Sequence, residues 1–211
     1  YAVNTFLEEV LGVRWWTSTE QTVPVHKTLQ LDSLDISYAP KLIYREAFYK
    51  DAFDPVFAAR MKCNGHFGKT TSEYGDHHHF SYWCHSFFEL ISPDKYFKDH
   101  PDWFSEIDGV RQYENAQLCL MNDEMRKELT KNAIEELRRN PDAKFISISQ
   151  MDWYGPCMCE KCSKVVEEEG SQSGPLVYFI NAVAEEIEKK FPDVFVETLA
   201  YNYTCLLYTS P

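Results

Sequence analysis

The chain has 211 residues, of which 44% are hydrophobic and 26% charged, a balance that suits a folded domain with one good-sized core. Its net charge of −12, with no basic run, would repel a phosphate backbone, which sets nucleic-acid binding aside. No stretch approaches the ~18 apolar residues of a membrane span, and the 15% of aromatic residues serves sugar stacking as readily as core packing.

In chain order, residues 2–11 place Val3, Phe6, Leu7, Val10 and Leu11 on one face at helical spacing, with Gly12 as C-cap. Val13–Trp16 and Val23–Val25 read as extended, and Thr28–Ser37 alternates Leu29, Leu31, Leu34 and Ile36 as a strand does. Residues 1–27 therefore read as the end of an N-terminal α/β domain and 28–40 as a connector strand. The opening at Tyr1, without Met and inside a helical pattern, marks the chain as a piece of a longer one.

Past Pro40, residues 42–48 predict a strand ending in Arg45-Glu46, residues 54–62 a helix, and His66–Gly68 a short strand. Thr70–His79 is a polar loop. Its His77, His78 and His79 alternate in direction and cannot all face one ion, so a solvated loop is the better account. Residues 80–91 are another strand candidate, 94–116 an elaborated loop, and Gln117–Leu120 strand-like. Asn122 caps a helix with Met125, Leu129, Ala133 and Leu137 on one face, stopped by Asn140-Pro141. A strand over 145–149, a long loop over 150–173, a helix with Leu176, Ile180, Val183 and Ile187 in one stripe, and a strand over 194–200 complete the pattern.

Alternation at this pitch predicts the α/β class: a partial (β/α)8 TIM barrel of about five strands over residues 41–204, preceded by the C-terminal end of a small α/β domain. In such a barrel the chemistry gathers where strands end, so Arg45, Glu46, His85, Gln150, Asp152 and Tyr201 would share one mouth. Cys157-x-Cys159-x-x-Cys162 has the spacing of a metal knuckle but supplies three of the four ligands that tetrahedral zinc takes. The fourth would come from Cys84, Cys119, a histidine or residues outside the chain. A structural zinc, a disulfide with one cysteine left over, and reduced thiols all fit the spacing.

Phe6–Trp16, Tyr44–Phe48, His100–Phe104, Gln117–Leu120, Ser149–Asp152 with Cys157–Cys162, Asn181–Ala184 and Thr198–Tyr201 together resemble a bacterial family. It is known as domain of unknown function 4838 and is similar to the α-glucuronidases of glycoside hydrolase family 67. The resemblance covers the chain to about Thr204. It implies a glycoside hydrolase-like barrel acting on a glycan, one bearing uronic acid being a natural case, with no catalytic cofactor and a periplasmic or secreted parent. By that resemblance Asp152 stands after the fourth barrel strand, where the proton donor lies. Met151, Trp153 and Tyr154 would supply the apolar wall that keeps it protonated. Arg45, Glu46, His85, Gln150, Trp153 and Tyr201 would contact the sugar. The second carboxylate is expected on later strands, with Glu197 of undecided direction. A non-catalytic carbohydrate-binding barrel is the alternative, as is an inactive fragment with a zinc-knuckle-like loop. The heptapeptide Cys205–Pro211 matches one reading frame of a common transposon sequencing adapter, so 205–211 is expected to be non-native.

Overall fold

The computed structural model describes residues 1–31 and 33–205; of the expected non-native tail, everything past Cys205 lies outside the described residues. The chain forms two compact units, the first running to His79 and the second starting at Phe80.

In the first unit, α1 (Ala2–Glu9) leads into a short antiparallel pair, β1 (Arg14–Trp15) with β2 (Gln21–Thr22). Further on comes α2 (Pro55–Arg60), where Asp54 accepts from the Phe57 N–H at 2.7 Å and Pro55 occupies the first turn, a strong start signal. Val13, Trp15 and Phe57 make a small core, and Lys62 bonds Glu8 at 2.7 Å. Three expected strands do not form here. Over 28–37, Leu29, Leu31, Leu34 and Ile36 are exposed, because alternation makes a strand only where a partner supplies the ladder. Over 42–48 no strand forms: Asn64 exchanges bonds with the Arg45 backbone through its side chain and its own N–H, and its amide also donates to the Ile43 carbonyl. Residues 66–68 form a turn.

The second unit holds the main core. It begins within β3 (His79–Phe80) and continues through the short helices α3 (Phe87–Leu90) and α4 (Pro93–Tyr96) to an antiparallel hairpin, β4 (Glu106–Ile107) with β5 (Val110–Arg111). Then follow α5 (Asp123–Arg139), β6 (Ala143–Ser147), α6 (Glu160–Glu169), α7 (Ser173–Glu188) and β7 (Phe195–Glu197). As expected, Asn122 caps α5, its Oδ1 accepting from the N–H groups of Glu124 and Met125. The sheet has the order β3-β6-β7, and β6 and β7 run parallel with Ser147 opposite Glu197.

The stretch expected as a strand over 80–91 instead turns at His85, whose φ is 51°, and enters α3. Phe87, Leu90 and Ile91 are buried at helical spacing, and Ser86 ties the turn to the sheet by donating to the Ser147 carbonyl at 2.5 Å. Gln117–Leu120 contributes one bridge, Leu118 opposite Phe104. The 150–173 loop contains α6, which ends at Gly170 in the left-handed conformation. Of the four strands expected up to residue 149, the last is the regular one, and no closed barrel forms among the described residues.

The two faces of β6 differ in kind. Ile146 and Ile148 enter the core with Met125 and Leu129 of α5 and Leu176, Phe179 and Val183 of α7. On the other face Phe145 stacks between Phe80 and Phe195, at 5.0 and 5.4 Å between ring centroids, and the serines 147 and 149 follow. Hydroxyl groups therefore line one face of β6, toward its C-terminal end.

Candidate functional site

Beyond the serines, where β6 and β7 end, four polar side chains converge. Tyr201 donates its hydroxyl proton to Asp152 Oδ1 at 2.8 Å. His85 approaches the same oxygen through Nε2 at 3.9 Å and lies edge-on to the Tyr201 ring. Its Nδ1 is 2.7 Å from the Gln150 carbonyl; a carbonyl only accepts, so Nδ1 carries a proton and Nε2 is the ring nitrogen turned toward Asp152. The left-handed backbone at His85 is what aims the ring there.

Glu197 is the fourth. Register places it opposite Ser147, on the serine face, which decides its direction. Burial pushes its carboxyl above the usual glutamate range, opposed by a hydrogen bond from Ser147 and by the nearby His85. Its Oε2 is buried with no hydrogen-bond partner among the described residues. A buried acid with a free oxygen is an uncommon defect in a folded protein, and it is also how a site holds a protonated carboxyl ready to give up its proton. Cys84 lies near both acids and its thiol is pushed up, first by burial and then by Glu197 and Asp152.

The remaining expected site residues fall elsewhere. Gln150 is fully buried, donating to the Tyr201 carbonyl at 2.8 Å and accepting from the Thr204 hydroxyl at 2.6 Å, so it fixes the turn that presents Tyr201. Trp153 donates to the Ala116 carbonyl at 2.7 Å and packs on Phe88. The apolar wall expected around Asp152 is absent, since its side chain is 62% exposed and Tyr154 is exposed as well. Arg45 and Glu46 belong to the first unit. Arg45 donates to the carbonyls of Lys62 at 2.8 Å and Leu42 at 2.5 Å, while Glu46 accepts from the Tyr44 hydroxyl and the Phe67 N–H. In the histidine loop His77 is turned in rather than solvated, its Nδ1 2.7 Å from the Thr70 carbonyl and its ring against His79.

A second constellation lies at the far end of the segment that carries Asp152. Cys119, Cys157, Cys159 and Cys162 are all buried, and their sulfurs lie within 4.8 Å of one another, a cluster that could bind a metal. Cys119 Sγ is 3.7 Å from Cys159 Sγ and 3.8 Å from Cys162 Sγ. Cys157 accepts from the Glu106 N–H at 3.3 Å and faces the Arg111 guanidinium at 3.6 Å. Sulfur-to-sulfur hydrogen bonds, first with Cys119, drive the Cys157 thiol far down; the bond to Cys157 pushes Cys119 up to about 12, and Cys162 is pushed up further, chiefly by Cys119. The Cys157 thiol is thus favoured as thiolate while Cys119 and Cys162 resist ionising beside it.

Backbone geometry brings Cys119 to the knuckle. The N–H of Gln117 donates to the Gly155 carbonyl and that of Cys119 to the Trp103 carbonyl, while Met158 donates to Glu106. Gly155 has φ 93°, and a Cβ there would collide with the Asn115 carbonyl, so only glycine permits this approach. Gln117 completes the join. Its side chain accepts from the Met151 N–H at 2.9 Å and donates to the Trp153 carbonyl at 2.7 Å, acting as a strand for a loop that has none.

No helix is long and apolar enough to cross a membrane among the described residues. No curated protein and no solved structure matches the chain. The family model described as domain of unknown function (DUF4838) matches residues 15–206, and the chain belongs to that family.

Proposed function

We propose that this member of the DUF4838 family is a glycoside hydrolase-like protein that cleaves a bacterial-substrate glycan by carboxylate acid/base chemistry. The observation that carries the reading is the half-buried Glu197, its carboxyl raised by burial and its buried Oε2 without a partner among the described residues, beside the His85–Asp152–Tyr201 group at the ends of two parallel strands. Glycosidic bonds are cleaved by two carboxyl groups in different environments, one kept protonated and one ionised. Glu197, half-buried, is the proton donor in this reading. Asp152, exposed and held by Tyr201, is the carboxylate that acts as base or nucleophile. The donor role expected for Asp152 thus passes to Glu197, while Asp152 remains catalytic.

The proposal extends to the fold, with the second unit as a segment of a (β/α)8 barrel. Parallel β6 and β7 joined through helices are the repeating unit of that architecture. The Phe80–Phe145–Phe195 stack below Ser147 and Glu197 resembles the layered filling of a barrel interior. The likeness of the sequence to α-glucuronidases makes a uronic-acid glycan the first substrate class to test. Exposed Tyr154 and Tyr201 offer aromatic faces for sugar stacking. Arg45 and Glu46, within the first unit, are retained as proposed sugar contacts. No cofactor takes part in the hydrolysis, and the cysteine cluster is assigned a structural role, with zinc as its occupant.

The test is hydrolysis of a panel of aryl glycosides that includes glucuronides. Glu197→Gln and Asp152→Asn are each expected to lower kcat/KM by roughly 10²–10⁴-fold. Sugar binding without hydrolysis of any member would leave a non-catalytic carbohydrate-binding barrel as the better account. Full activity in either variant would remove that residue from the mechanism.

A further inference from the structure

We propose that Cys119, Cys157, Cys159 and Cys162 hold one zinc ion as a closed four-thiolate site, and that this ion is what fixes the segment carrying Asp152. A tetrahedron of Zn–S bonds of about 2.3 Å has S–S edges of about 3.8 Å. The two separations from Cys119 are 3.7 and 3.8 Å, and no pair in the cluster is farther apart than 4.8 Å. A disulfide brings one pair to about 2.0 Å and turns the other two sulfurs away. Here Cys119 keeps two sulfurs at nearly equal distance, which is a coordination pattern rather than a pairing pattern.

The surroundings fit a thiolate site. Four thiolates around a divalent cation carry net charge −2, and buried negative charge needs donors. The Glu106 N–H and the Arg111 guanidinium both face the Cys157 sulfur, and Arg111 is anchored there by donating to the Phe104 carbonyl at 2.8 Å. Cys159 stands at the N-cap of α6 and Cys162 in its first turn, where the helix dipole favours thiolate. A cavity of about 370 Å³, lined by Asp102, Glu106 and Glu160 together with Arg111 and Lys161, opens onto Cys119 and Cys159 and gives a cation a way in. All four positions are filled by protein, so no coordination site is left for substrate and the role is structural.

The consequence reaches Asp152 through chain connectivity. From β6 the chain passes Asp152, is gripped at Met151, Trp153 and Gly155 by Gln117, and arrives at Cys157. Gln117 lies two residues before Cys119, so the metal and the amide hold the same two segments together at adjacent points. The ion positions Asp152 without touching it.

The assignment stands apart from the glycosidase reading, because metal content and hydrogen exchange are measured without turnover. Protein purified without chelator is expected to carry one zinc per chain by elemental analysis. Exchange against Co²⁺ should give the visible spectrum of a tetrahedral thiolate. Stripping the metal should speed amide exchange at 150–162 by at least 10-fold more than it speeds exchange of the β6 and α7 amides. Cys119→Ser should lose the zinc; Cys119→His, which keeps a ligand, should retain it, so a folding failure of the first does not decide the matter. A coloured iron protein, a disulfide among the four cysteines by mass spectrometry, less than about 0.2 zinc per chain after reconstitution with Zn²⁺, or undiminished zinc in Cys119→Ser would each overturn the proposal.

Discussion

The segment that leaves β6 joins two regions of opposite character. At Asp152 a carboxyl group stands in solvent, while the half-buried Glu197 has a buried Oε2 with no hydrogen-bond partner among the described residues. At Cys157–Cys162 the buried sulfurs have counterparts: four of them face one another, and a backbone N–H and a guanidinium face Cys157. The first region keeps an unspent buried oxygen, and the second turns its sulfurs on one another. Capacity left over is what a substrate can use; capacity closed on itself is scaffolding. The contrast is what the proposed reading rests on: chemistry at one end of the segment and rigidity at the other.

Perturbing each region should therefore move stability by different amounts and in different directions. Stripping the metal from the cysteine cluster should act most, lowering unfolding free energy by about 5 kcal/mol, below the ~10–16 kcal/mol that structural zinc contributes in small peptides. Chemical denaturation with and without chelator measures it, and an unchanged midpoint would erase the contrast. Gln117→Ala comes next. The residue is 1% exposed, and removing its amide strands the Met151 N–H and the Trp153 carbonyl, for a loss of about 2–4 kcal/mol.

Glu197→Gln should go the other way. Burial raises the Glu197 carboxyl, so the folded protein keeps a proton that the unfolded chain releases near its ordinary value of about 4.3. The stability tied to that proton is complete below the unfolded value and is lost as pH rises through the folded one. Glutamine carries no such proton, so at neutral pH the variant should be more stable by about 0.5–2 kcal/mol. The advantage should vanish near pH 4. Thermal melts at both pH values check the sign, and equal shifts at both would remove the claim of a buried acid. Tyr201→Phe should act least on stability, within about 0.5 kcal/mol for so exposed a bond. It should still slow hydrolysis about 10-fold by releasing Asp152, which a comparison of melting and turnover would separate.

Sequence patterns revealed what local physics controls. The cap at Asn122, the stripe of α5, the stripe of α7 and the apolar run of β6 are written in spacing alone, and each forms, β6 two residues earlier than the expected 145–149. Strands were expected over 28–37, 42–48 and 80–91, but a strand also needs a neighbour, and no local pattern names one. In the last of these Phe87, Leu90 and Ile91 stand at helical spacing, and the helix is what forms. At the site, Asp152, His85 and Tyr201 were legible as strand-end residues, and they do meet. Glu197 needed the β6–β7 register, since a shift of one residue reverses its face. The fourth sulfur stands 38 residues before the knuckle, as 157 − 119 gives, and nothing local distinguishes Cys119 from Cys84 or Cys63. The metal-ready spacing was readable; its completion was tertiary.

The join between the two segments also works as a gauge of length. Gln117 is two residues from Cys119 and Gly155 two residues from Cys157, and the paired members meet in step: amide to carbonyl, sulfur to sulfur. Adding or deleting one residue on either rail would put the sulfurs out of phase with the backbone bond and turn Gly155 out of its only fitting place. Insertions are thus barred from both intervals, whatever happens to the longer connections around them. Q-x-C paired with a later G-x-C-x-C-x-x-C is accordingly a fingerprint by which the same arrangement can be recognised in other chains from their residues alone.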